Sequence, residues 1–287
     1  MVSKYILLIG KGKSVMKSVS AKTLREALKA RQNPELIPYA GGTDLMVEAN
    51  EDAAYLYLKR VPEMRGIIVI DEELHIGAAV TFTELIEDPN VPEILKDACR
   101  NIAAPAIRNA GTIGGNIGNG SPKADSALIF MVTDSKLRLA SATGERILPI
   151  KEFYQGRKKL ALKPDELIVE VIMPRVGLEN YHYEKIGARD ALAIARLSFA
   201  GIIEIEDGII KHFATAFGAV TDVILRFGEI DKMFVGKTIS EAREIKEDYL
   251  KAMDEAIVPI RGRVSIEYRK DVSMNLLRNF LEVKGIY

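Results

Sequence analysis

The sequence predicts an α+β protein of more than one domain, and three observations carry that reading. β-rich runs meet across short polar turns in hairpin fashion. Helix starts with a capping hydroxyl and a carboxylate three positions on recur at Thr23, Thr81 and Thr238. The 287 residues reach the size at which a single core stops growing, about 250 to 300 residues, so at least two domains are expected.

The elements follow in order. Thr23-Leu-Arg-Glu26 opens a short helix that Asn33-Pro34 ends, and the strand-like run 36–40 leads through Gly41-Gly-Thr-Asp44 into helix-compatible residues 45–49. That is a strand, a glycine turn and a helix start. Runs 66–70 and 74–77 flank acidic residues 71–73 as a hairpin, and Thr81 caps the next helix. Ile94, Leu95, Ala98, Cys99 and Ile102 recur at helical spacing, a buried stripe ending near Pro105. A second glycine-rich segment spans 111–122. Runs 137–139 and 146–148 bracket Thr143-Gly144, and the strand 167–173 stops at Pro174. A domain boundary is placed there, giving 1–175 (subdomains of about 1–55 and 56–175) and 176–287. Beyond it, runs 198–206 and 209–217 join at Asp207-Gly208, the strong hairpin dipeptide. Two helices close the chain, one striped by Ala242, Ile245, Tyr249 and Ala252, the other by Tyr268, Val272, Leu276, Leu277 and Phe280.

Composition narrows the function. Forty Lys and Arg cancel forty Asp and Glu, so no net field holds a polyanion, and nucleic-acid binding is not expected. Arg157-Lys-Lys159, the longest basic run, reads as a solvated turn. The single cysteine, Cys99, excludes an internal disulfide and any Cys-ligated zinc or iron–sulfur centre within this chain, and its place on an apolar stripe makes it inert. The apolar run 5–9 is shorter than a signal-peptide core and no run reaches spanning length, so a cytoplasmic protein without a membrane span is expected.

Most motif matches dissolve on inspection. Gly10-Lys-Gly-Lys-Ser14 has Leu7 where a phosphate-wrapping loop needs its first glycine. Asn119-Gly-Ser121 is a chance glycosylation match in a cytosolic chain. His75, His182 and His212 lack ligand spacing, so no metal site is predicted. The two glycine segments remain. Glycine lets successive N–H groups converge on an anion, forming a nest. Neither segment contains Lys or Arg between Pro38 and Leu45 or between Gly111 and Pro122, so a diphosphate there meets backbone N–H groups and the hydroxyls of Thr43 and Thr112. Neither is Gly-x-Gly-x-x-Gly, which disfavours a Rossmann nicotinamide site.

Ala40-Gly-Gly-Thr-Asp-Leu45, Ile107-Arg-Asn-Ala-Gly-Thr-Ile-Gly-Gly-Asn116 and Ser121-Pro-Lys-Ala-Asp125 resemble the FAD-binding medium subunit of the molybdenum hydroxylases, the xanthine dehydrogenase and carbon monoxide dehydrogenase flavoproteins. Ile76-Gly-Ala78, Thr83-Glu-Leu85, Asp165-Glu-Leu-Ile168 and Tyr183-Glu-Lys185 with Arg189 and Ala193-Ile-Ala195 extend the likeness in family order. The chain departs from the family in its N-terminal edge, 5–13, and in Lys123 beside the second loop.

The resemblance implies a two-subdomain FAD-binding domain of the vanillyl-alcohol oxidase (PCMH) type followed by a small C-terminal α+β domain. It implies non-covalent FAD held by Pro38, Tyr39, Ala40, Gly41, Gly42, Thr43, Asp44 and Leu45 and by Thr112, Ile113, Gly114, Gly115 and Asn116. Asp125 falls where the family holds a sugar or ribityl hydroxyl, Ile102 and Ile168 where it lines the cofactor, and Lys185 where it places a base near the flavin. No residue of this chain is a catalytic acid or base. The resemblance further implies that electrons pass from [2Fe–2S] clusters of a small partner through FAD to NAD⁺ or another acceptor, while a large partner holds molybdopterin and oxidises the substrate. Two rivals remain at this stage: an autonomous flavin oxidase or dehydrogenase, for which 176–287 is a small cap, and a structural subunit that has lost FAD.

Overall fold

The computed structural model describes residues 3–6, 17–50, 52–189 and 192–287. The segment 10–14 lies outside them.

Among the described residues three larger sheets and a two-stranded ribbon, Tyr154–Gly156 with Lys159–Leu160, build the molecule. In the first, Lys17–Ser20 and Leu36–Tyr39 both run parallel to the central Ala54–Tyr57, and Ser3–Ile6 pairs antiparallel at the edge. Parallel neighbours need a crossover, and the helix Leu24–Arg31 supplies the one into Leu36–Tyr39. Thr23 caps that helix through Glu26 N, but Glu26 reaches back to Lys22 N at 2.9 Å, one residue short of a reciprocal box. The second sheet is antiparallel, in the order Ile67–Ile70, Glu73–Gly77, Leu167–Pro174, Lys136–Ser141, Gly144–Pro149. Both expected hairpins form its edges.

Tyr181–Ile186, Leu197–Glu206, Ile209–Gly218 and Leu225–Arg226 make the third sheet. Asp207 and Gly208 both take positive φ, 51° and 76°, the conformation a tight two-residue hairpin needs. This sheet is buried on both faces. Ala200, Ile202, Ala214 and Ala216 join the core of the first two sheets, whereas Phe199, Phe213 and Phe217 alternate with them into a second core with Tyr249 and Phe280. The alanines are small because the helix Asp125–Val132, buried at all eight residues, packs on them.

Two helices differ from expectation. The stripe from Ile94 ends at Arg100, and Pro105 instead starts a separate turn, Pro105–Arg108, where its missing N–H costs nothing. The helix capped by Thr238 breaks at Ile245 into Ile239–Glu244 and Lys246–Ala256, although Ala242 and Tyr249 still share the core.

Candidate functional site

The first glycine segment leaves the strand Leu36–Tyr39 and ends in a 3-10 turn, Leu45–Glu48. Gly42 needs its glycine for a φ of 68°. Gly41 needs its own for close approach: a Cβ there stands 2.0 Å from the Ala110 carbonyl oxygen, where the two segments meet. In the second segment Thr112 caps Ile113–Gly118, its hydroxyl accepting from Gly115 N at 3.2 Å. Ile113 N and Gly114 N donate to Val80 O and Ala78 O at 3.0 and 2.8 Å, pinning the turn to the body of the protein.

Between the segments lies a cavity of about 510 Å³. All eight residues from Pro38 to Leu45 line it, with Thr112, Gly114, Gly115, Asn116 and Ile168. A Cβ on Gly115 approaches only the Thr112 hydroxyl, at 3.0 Å, so bare backbone faces the space. The other predicted residues lie outside this lining. Ile113 is a core side chain, fully buried. Lys185 Nζ donates to Asp125 Oδ2 at 2.7 Å and to the Asn101 carbonyl at 2.9 Å. Ile102 follows Asn101 in a loop that Arg108 holds, one guanidinium nitrogen donating to the Ile102 and Ala103 carbonyls at 2.8 and 2.7 Å. Ala103 there has φ of 42°, a conformation such anchoring sustains. Asn101, Ala103, Arg108 and Lys185 border a second cavity of about 250 Å³. Asn116 connects the two regions by accepting from the hydroxyl of Ser126, next to Asp125, at 2.6 Å.

The charges around Asp125 are set by burial. Burial pushes its carboxyl up from the ordinary value, and the Lys185 ammonium partly reverses the shift. Asp125 Oδ1 and the nearby Tyr183 hydroxyl are both buried, and the Tyr183 hydroxyl is pushed up by burial, by the Asp125 charge and by its interaction as a donor with that carboxylate. Burial raises the Cys99 thiol as well, matching the inert role expected of it. Sequence reasoning missed two cations of the main cavity. Arg31 comes from the preceding helix and Lys158 from the basic turn, and neither lies in a glycine segment. Among the described residues no His, Cys, Asp and Glu group has metal-site geometry, and no helix is long and apolar enough to cross a membrane.

Residues 14–176 match the family described as "FAD binding domain in molybdopterin dehydrogenase", and 181–283 match the "CO dehydrogenase flavoprotein C-terminal domain". The chain belongs to this flavoprotein family, the FAD-binding medium subunits of the xanthine dehydrogenase and carbon monoxide dehydrogenase type. The flavoprotein is 35% identical over 218 residues to the putative xanthine dehydrogenase FAD-binding subunit XdhB of Escherichia coli (strain K12), covering 72% of this chain and 74% of that one. It is 29% identical over 266 residues to the nicotinate dehydrogenase FAD-subunit of Eubacterium barkeri, covering 87% and 89%. In fold the flavoprotein is similar to a chain of the carbon monoxide dehydrogenase from Hydrogenophaga pseudoflava, with a TM-score of 0.84, 24% identity, and 96% and 98% of the two chains covered. The α+β architecture expected of the family, an FAD domain followed by a small C-terminal domain, is the one observed, and its cofactor is FAD.

Proposed function

We propose that this chain is the electron-transfer subunit of a cytoplasmic molybdenum hydroxylase complex, working between a small [2Fe–2S] subunit and NAD⁺ or another soluble acceptor. Bound FAD supplies the exchange between one-electron clusters and a two-electron acceptor. Substrate oxidation belongs to a large molybdopterin subunit, a division suited to a chain whose one thiol is buried. The observation that carries the reading is the cavity between two glycine segments, lined by Gly41, Gly42, Gly111, Gly114 and Gly115 without side-chain bulk.

In this reading residues 38–45 hold the diphosphate through backbone N–H groups and the Thr43 hydroxyl, while 112–116, whose N–H groups from Ile113 to Asn116 already donate within the protein, bring the Thr112 hydroxyl and the close approach that Gly114 and Gly115 allow. Thr112 O–H keeps a proton to donate, since its oxygen is used only as the acceptor of the Gly115 cap. Ile168 lines the cofactor, and Ile113 anchors the second loop from the core. Ile102, Asp125 and Lys185 form the flavin end beside the smaller cavity, with Lys185 tuning the ring electrostatically. The FAD domain ends near residue 175 and 176–287 is the C-terminal flavoprotein domain.

Titration of the purified chain with FAD tests the proposal. Stoichiometric uptake of a yellow chromophore that acid precipitation releases is expected. A chain that stays colourless and takes up no FAD is instead the structural subunit, and turnover of an alcohol, aldehyde or purine by the chain alone makes it an autonomous oxidase.

A further inference from the structure

The main cavity carries a charge problem that its glycine segments do not solve. Asp44 and Glu48 line it, so a diphosphate laid along the first segment shares the cavity with two carboxylates. Neutral N–H donors favour an anion but do not cancel that repulsion. Two cations among the lining residues do, and both come from outside the segments.

Arg31 ends the helix Leu24–Arg31, whose chain then turns into the strand Leu36–Tyr39. Its guanidinium is fixed from behind, one nitrogen donating to the Leu36 carbonyl at 2.7 Å, while Nε is buried without a partner. Burial pushes this guanidinium down from its ordinary value, and the charge of Asp165 opposes the shift. Lys158 sits at the tip of the ribbon formed by Tyr154–Gly156 and Lys159–Leu160, with φ of 57°. The tip is locked to the end of the second segment: Lys158 N donates to the Gly120 carbonyl at 3.1 Å, and a Cβ on Gly120 would stand 2.9 Å from Lys158 Cα. The same cavity is lined by the apolar side chains of Leu162, Leu167 and Ile168. A cavity that combines an apolar wall with two cations suits a purine ring followed by phosphates.

We propose that Arg31 and Lys158 recognise the ADP half of the cofactor, and that selection of FAD over FMN is made at this end of the cavity. The proposal rests on the reading of the chain as an FAD protein and assigns within it the charged contacts that the glycine segments lack.

Calorimetric titration of the apoprotein with FAD, FMN and ADP tests it, in the parent, Arg31→Met, Lys158→Met and the double variant. The parent should bind ADP alone and prefer FAD to FMN. Each single variant should bind FAD and ADP about five- to tenfold more weakly, the size of one partly solvated charged contact. FMN affinity should stay unchanged. The parent's FAD affinity should also fall with added salt more steeply than that of the double variant. Arg31 also braces the Leu36 carbonyl, so Lys158→Met, which leaves its backbone bond to Gly120 intact, carries the decisive comparison. If Lys158→Met and the double variant bind FAD and ADP as the parent does, the inference is overturned while the FAD reading stands. If the parent itself binds no FAD, both fall.

Discussion

Lys185 and Asp125, sixty positions apart, form an ion pair at 2.7 Å with side chains only 10% and 6% exposed, joining the strand Tyr181–Ile186 to the first turn of the helix Asp125–Val132. The resemblance gave these residues separate duties toward a cofactor. The structure makes them each other's nearest charge, so neither can be changed without altering the other.

Lys185→Met in the apoprotein should therefore cost about 3 kcal/mol or more near neutral pH, because it strands a buried carboxylate. The loss should depend on pH. Burial already raises the Asp125 carboxyl, and removing the ammonium raises it further. A carboxyl raised on folding contributes stability below its unfolded value and loses it as pH rises through the folded value. The variant's deficit against the parent should thus grow from pH 5 to pH 8 in urea unfolding, and Asp125→Asn added to it should restore part of the loss at pH 8. A deficit equal at both pH values would mean that Asp125 is not a buried charge.

Gly41 and Gly115 should separate folding from cofactor binding. An alanine Cβ at Gly41 meets the Ala110 carbonyl at 2.0 Å and cannot be placed without prising the two segments apart, so Gly41→Ala should cost about 1 to 3 kcal/mol and lose FAD as well. Gly115 lies within the helix Ile113–Gly118, where alanine is favoured over glycine by about 1 kcal/mol. Gly115→Ala puts its methyl 3.0 Å from the capping Thr112 hydroxyl, which offsets the gain in helix propensity, so Tm should change little in the apoprotein while FAD binding weakens because residue 115 lines the cavity. Calorimetry and titration of the two variants distinguish the effects.

What the sequence made legible follows from where signals are local. Capping hydroxyls at Thr23, Thr81 and Thr238 and the Asp207-Gly208 turn all act within a few residues, and each stands where it was read. The helix Asp125–Val132 escaped notice because it is buried on every side within the first core, so no periodicity marks it. Arg31 and Lys158 escaped for a different reason. Each reaches the cavity by a fold-dependent path, one from a crossover helix and one from a ribbon tip, and an isolated basic residue carries no trace of that destination.

In the proposed reading the isolated chain loaded with FAD should reduce an artificial dye with NADH and oxidise no organic substrate, because hydride exchange at a flavin needs no partner whereas substrate oxidation belongs to the large molybdopterin subunit. Steady-state assays with an aldehyde and purine panel check this. Hydroxylation should appear only when both partner subunits are added.

A second buried charge makes a prediction independent of any cofactor. Asp231, fully buried, accepts from Thr215 N at 2.9 Å, from the Thr215 hydroxyl at 2.8 Å, from the Tyr249 hydroxyl at 2.8 Å and from Arg226, which also reaches Asp134 at 3.2 Å. Its carboxyl is pushed up to about 6, burial outweighing the opposing charge of Arg226. Because the folded value lies above the unfolded one, the group's contribution to stability is full below pH about 4 and is lost as pH rises through about 6, a change of up to about 3 kcal/mol. Asp231→Asn keeps the shape and removes the titration, leaving Arg226 without its buried counter-charge at every pH. The variant should be less stable than the parent throughout, and its deficit should narrow between pH 4.5 and 7.5 as the parent loses its own advantage. Urea unfolding of both proteins at three pH values in that range reads the difference directly, since titrations common to the two cancel. A deficit that widens with pH would show that the pair with Arg226 outweighs burial and that the Asp231 carboxyl lies below, not above, its ordinary value.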